Sequence, residues 1–149
     1  MQIINNETIF QNAVKTKPLV LHLAAIFLGF AFTWVGIQHF TDTEWFEPIV
    51  PKFFENARFW VLVTGYMEIG LGLGLIIPKT RRIAAIGTFV FLLGIYWANL
   101  NMWVNDIPLG GVTYGQSFHL IRLSIQILMI ITTLLIAGGI YDVPEKMRN

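Results

Sequence analysis

The chain has no cysteine. That excludes a disulfide framework, thiolate metal sites and any thiol–disulfide relay carried by this chain. Charge is scarce as well: 13% of the residues are Asp, Glu, Lys or Arg, about half the share of an ordinary soluble domain. The 10 cations and 9 anions leave a net charge of +1, too small to draw the chain to nucleic acid. No phosphate-binding loop, GxSxG elbow, HExxH or haem-attachment motif is present. The N-terminus, MQIINNETIFQNAVKTKP, lacks the basic start and apolar core of a cleaved signal peptide, so the first helix is expected to anchor the mature protein.

What the chain does have is apolar sequence in long blocks. Of its 149 residues 55% are hydrophobic. At 1.5 Å per residue, about 20 apolar residues span the hydrocarbon of a bilayer. Four segments meet that length: 18–40, 59–77, 83–104 and 117–138. Pro18 is expected to open the first and Pro78 to close the second, because proline fits a helix end better than its interior. The expected fold is an all-α membrane protein, a four-transmembrane-helix bundle with a short interfacial helix in the first outer loop. Residues 1–17 form an N-terminal arm, 18–138 the membrane domain and 139–149 a C-terminal tail. Lys15, Lys17, Lys79, Arg81, Arg82, Lys146 and Arg148 fall on one side of such a bundle, against Lys52 and Arg58 on the other. The positive-inside rule therefore places both termini in the cytoplasm. In the first outer loop, Trp45, Phe46, Ile49, Val50, Phe53 and Phe54 recur at helical spacing, which predicts a short interfacial helix broken near Pro48 and Pro51. Ile3, Ile4, Ile9, Phe10 and Val14 give the N-terminal arm a weaker amphipathic pattern.

Two charges stand inside these apolar blocks. Glu68 lies in the second span and Arg122 in the fourth. A carboxylate or guanidinium at such depth costs roughly 2–3 kcal/mol or more and normally faces a partner or a cavity. Spacings of three and four place small or polar residues on one face of each span. These faces are His22, Ala25, Gly29, Thr33, Gly36 and His39 in the first, and Gly65, Glu68 and Gly72 in the second. They are Ala84, Gly87, Gly94, Ala98 and Asn101 in the third, and His119, Arg122, Gln126 and Thr133 in the fourth. Glu68 and Gln126 are each about 13 Å below the outer boundary, and Arg122 about one turn above Glu68. The expectation is one polar cluster in the outer half of the bundle, with Glu68, Arg122 and Gln126 at its floor and His39, His119 and Asn101 toward its mouth. Trp34, Tyr66, Trp97 and Trp103 could supply aromatic walls, while Tyr96 and Trp103 equally suit an interfacial belt. Two histidines and a carboxylate are ligand types, but they sit on three helices with no ligand spacing, so no metal is expected. Gly70 and Gly74 form a GxxxG pattern that suits either a dimer face or packing within the chain.

The strings GIQHFTDTEWFEPIVP, GYMEIGLGLGLIIPKTRRIAAIG, YWANLNMWV and RLSIQ, in that order from Trp34 to Gln126, resemble the DoxX-type family of small bacterial membrane proteins. The resemblance implies a four-helix protein of the bacterial inner membrane and a link to redox metabolism, since the family takes its name from a subunit of a thiosulfate–quinone oxidoreductase. The matching positions are His39, Glu68, Arg81, Arg82, Asn99, Asn101, Arg122 and Gln126. The lack of cysteine speaks against thiol chemistry but leaves quinone binding open.

Three functions compete on this sequence. The first is an accessory redox subunit whose outer pocket holds a quinone-like amphiphile, with Arg122 and His119 donating to its oxygens and Glu68 handling protons. The second is a non-enzymatic scaffold or assembly factor, its polar cluster locking the bundle while the outer helix or the arm binds a protein partner in a membrane complex. The third, a transporter, is ranked last, because the polar residues stop near mid-membrane and no inverted halves are visible.

Overall fold

The computed structural model describes residues 6–139, with side chains from Leu19 to Gly138. Its elements are α1 (Asn6–Thr41), α2 (Thr43–Phe46), a 3-10 turn (Glu47–Ile49), α3 (Ala57–Ile76), α4 (Arg81–Val104) and α5 (Gln116–Gly139). No strand occurs among the described residues, and the fold is all-α. Four stretches are long and apolar enough to cross a membrane: Leu19–Thr41, Ala57–Ile76, Arg81–Val104 and Gln116–Gly138. Large apolar side chains cover the outside of the bundle, among them Phe27 at 74% and Ile83 at 77% exposure. A surface of that kind belongs against lipid, and the chain is a multi-pass membrane protein.

Helices α3, α4 and α5 start and stop within two residues of the expected spans. α1 does not. It runs unbroken through Pro18 and takes in residues 6–17 as well. One proline removes a single backbone bond, and the polar run Glu7–Lys17 contains good helix formers that a hydropathy scan does not register. Ile3, Ile4 and the C-terminal tail lie outside the described residues, as do the side chains of Ile9, Phe10 and Val14.

The connections are tied down locally. Asn56 caps α3, its Oδ1 accepting from the Phe59 amide at 3.0 Å. At the other end of α3, Arg81 folds back so that its Nε donates to Leu75 O and its Nη2 to Ile76 O, both at 2.7 Å. Read from sequence as one of the topology-setting cations of a short basic turn, Arg81 is 2% exposed and closes the C-terminus of α3. α4 ends in a left-handed turn at Asp106 (φ 47°), with Ile107 N donating to Met102 O at 3.0 Å and Asp106 N to Trp103 O at 3.5 Å. The first long loop carries α2 and the 3-10 turn, which breaks at Pro48 and Pro51 as the pattern predicts. Gly110 of the second long loop (φ 59°) approaches the Trp45 indole so closely that a Cβ would lie 2.7 Å from Nε1.

Around the bundle the order is α1, α3, α4, α5; α1 faces α4 across the centre, and α3 faces α5. The α1–α3 seam is the closest. Gly29 meets Gly72 and Gly36 meets Gly65, so the two backbones nearly touch. Beside it, Ala25, Leu28, Leu75, Ala84, Ala85 and Ile136 form the core near the α3–α4 turn. Phe32 and Phe91 cross the centre edge-to-face at 6.1 Å, with Leu92 beneath. The GxxxG pattern divides: Gly74 packs on Ala84, while Gly70 has open space beside it. Gly94 likewise has nothing within 4 Å.

Candidate functional site

The small-residue faces of α1 and α3 bring Glu68 against His39. The carboxylate Oε2 lies 3.6 Å from His39 Nδ1 and accepts no hydrogen bond. Glu68 is 6% and His39 7% exposed. Thr64 comes within 3.5 Å of the same imidazole nitrogen, but its hydroxyl is also directed to Trp60 O and Val61 O at 2.9 and 3.0 Å. The Phe46 ring closes the site from above, edge-on to His39 at 4.1 Å.

Arg122 is elsewhere. Its Nη2 donates to Asn99 Oδ1 and its Nη1 points to Met102 Sδ at 2.7 Å. Asn99 Nδ2 donates in turn to Gln126 Oε1, and Gln126 Nε2 to Leu92 O, both at 2.8 Å. This relay joins α4 to α5 through groups that hydrocarbon would otherwise leave unsatisfied. His119 is 4% exposed and lies parallel to Trp103, 5.7 Å between ring centres.

The expected meeting of Glu68 with Arg122 is therefore corrected. No ion pair joins Glu68 to Arg122 among the described residues; Glu68 lies against His39 instead. The reason is the helix order: α3 and α5 are across the bundle, and the aromatic and aliphatic side chains of the core fill the space between. The single polar cluster is two, His39 and Glu68 on one side, Arg122, Gln126 and His119 on the other. Asn101 belongs to neither; its Nδ2 donates to Ile49 O at 3.3 Å and fastens the 3-10 turn to α4. Of the aromatic walls, Trp34, Tyr66 and Trp97 point outward at 64–70% exposure, while Trp103 and Tyr96 stay with the site.

Asn99 is the central residue of the relay. Helical periodicity places it off the face that carries Asn101, and in the sequence only the family resemblance singles it out. Thr64 has one signal in the sequence, a hydroxyl one turn from the Glu68 carboxylate, and Met102 has none.

A narrow crevice opens between α4 and α5 beside Arg122. Asn99, Tyr96, His119 and Gln126 line it, and its volume is about 10 Å³. That admits one oxygen-sized group and no ring. A second, shallow and open surface shares Leu100 and Trp103 with it and takes in Val104, Asp106 and Gln116. On that surface Trp103 Nε1 donates to Gln116 Oε1 at 2.6 Å. The arrangement sets polar side chains at a narrow opening beside exposed apolar helix surface, which suits the polar end of an amphiphile.

No curated protein and no solved structure is recognisably similar to the chain. One family model matches, over residues 28–137, and so includes the whole of α2 through α4, the C-terminal part of α1 and most of α5. The chain thus belongs to the family described as a domain of unknown function, DUF8561.

Proposed function

We propose that this protein is a DoxX-like accessory component of redox or quinone metabolism in the bacterial inner membrane, with both termini cytoplasmic, and that the α4–α5 crevice receives the oxygen of a quinone-like amphiphile. The observation that carries the reading is Arg122, a guanidinium two turns inside an apolar helix with a crevice open beside it. A cation held at that depth is expensive unless it serves a ligand or a lock. Arg122 presents the donors; Asn99 and Gln126 fix its orientation; the helix surface at Leu100 and Trp103 beside the crevice takes the apolar body. The motif order that resembles the DoxX type supports the same assignment. Glu68 stands apart from this crevice, so it is not the proton-handling partner of the ligand.

A second reading keeps the relay as a lock in a scaffold protein. The closed chain Arg122–Asn99–Gln126–Leu92 favours it, because each member finds its partner within α4 and α5.

Mass spectrometry of small molecules extracted from the natively purified protein separates the two. A stoichiometric quinone is expected with the wild type and with Glu68→Gln, and is expected to vanish with Arg122→Leu. Only bulk lipid in all three samples would refute the ligand reading and leave the lock.

A further inference from the structure

The contacts of Arg122 are uncharged. Its Nη2 donates to the Asn99 amide oxygen, and its Nη1 points to the Met102 thioether. Its guanidinium carbon lies 5.7 Å from the centre of the Phe118 ring. Among the described residues Arg122 forms no ion pair, and its remaining N–H groups find no acceptor. An amide oxygen, a sulfur and a ring face soften a cation but do not neutralise it.

The crevice beside Arg122 is rich in donors and poor in acceptors. No carboxylate lines it. Asn99 Oδ1 already accepts from Arg122, and Gln126 Oε1 from Asn99 Nδ2. Two further lining groups have a hydrogen to give. His119 is 4% exposed and stacked on Trp103, and neither of its ring nitrogens has a hydrogen-bond partner among the described residues. Tyr96 adds a hydroxyl, also without a partner among the described residues. Leu100 and Leu123 supply apolar lining.

We infer that the crevice receives an oxyanion, the ionised head of an amphiphile, as in a carboxylate or a phenolate. The inference rests on the reading of the crevice as the seat of an amphiphile's oxygen and adds the charge of that oxygen. A neutral carbonyl or ether oxygen accepts a hydrogen bond from Arg122 but leaves a positive charge standing in an apolar helix. An oxyanion accepts charge-assisted bonds and cancels that charge as well. The volume of about 10 Å³ takes one oxygen at a time. A phospholipid phosphate suits it poorly, because that group is tetrahedral and stays at headgroup level. Arg122 lies six residues after Gln116, about 9 Å below the outer end of α5.

The test compares each of two acids with its own neutral derivative: dodecanoate with methyl dodecanoate, and a nitrated alkylphenol with its methyl ether. Native mass spectrometry counts each probe on the full chain in nanodiscs of zwitterionic lipid, in a mildly alkaline buffer that ionises both acids. The wild type is expected to bind at least one acid about tenfold more tightly than its neutral derivative, and the arm that does so identifies the head group. Arg122→Gln keeps an amide beside Asn99 without the charge and is expected to erase the preference. Neutral derivatives bound by the wild type as tightly as both acids, or a preference that survives Arg122→Gln, overturn the charge selection and leave the amphiphile site standing. Should the variant fail to fold, the wild-type comparison alone decides. Failure of all four probes to bind overturns the amphiphile reading itself.

Discussion

Replacing Arg81 with leucine is expected to lower stability by about 3 kcal/mol, measured as unfolding in mixed micelles under increasing sodium dodecyl sulfate. The guanidinium makes two charge-assisted hydrogen bonds, to Leu75 O and Ile76 O, each worth about 1.5–3 kcal/mol before the cost of burial. Leucine fills much of the volume but leaves both carbonyls at the end of α3 without a donor, in a place that is 2% exposed. Hydrocarbon offers no substitute. Lysine is expected to restore only part of the loss, because its ammonium is a point charge and cannot reach the two carbonyls as a planar fork does. A leucine variant as stable as the wild type would show that the α3 terminus finds other donors.

The second large effect is expected at Gly72. A Cβ there would lie 2.6 Å from Gly29 O and 2.7 Å from Thr33 N, backbone atoms of a neighbouring helix that cannot rotate away. Gly72→Val should therefore force α1 and α3 apart and cost about 3 kcal/mol or more. Gly70→Val is the matched control, two residues away on the same helix with nothing within 4 Å, and should be close to neutral. Helix content by circular dichroism should stay the same in both, since the damage is to packing rather than to the helices. Equal stability of the two variants would refute the close seam.

Much of this seam was legible in the sequence. Gly29, Thr33, Gly36 and His39 fall on one face by spacing, as do Gly65, Glu68 and Gly72, and those two faces do meet. The helix limits were also legible wherever apolar sequence and helix coincide, as in α3, α4 and α5. They were not legible where a polar helix continues an apolar one, as at residues 6–17 of α1. Partnership across helices was the larger loss. Periodicity fixes which residues share a face, but not which neighbour that face meets. Charge complementarity suggested Glu68 with Arg122, and the order of helices around the bundle decided otherwise. The same gap hid Asn99, which lies on a different face from Asn101 and therefore serves a different neighbour. Arg81 was misplaced for a further reason: a cation beside a membrane boundary satisfies the positive-inside rule equally well whether it reaches into solvent or turns back onto a helix end.

The division of the polar residues into two sets bears on how the chain is made. α1 and α3 form the first helical hairpin to emerge during synthesis, and α4 and α5 the second. Glu68 finds His39 within the first, and Arg122 finds Asn99 and Gln126 within the second. Each hairpin thus enters the bilayer with its own ionisable group already beside a polar side chain, before the other half arrives. The polar contacts that join the halves, Arg81 on the end of α3 and Asn101 on the 3-10 turn, lie toward the two ends of the bundle, while apolar side chains such as Phe32 and Phe91 meet at its centre.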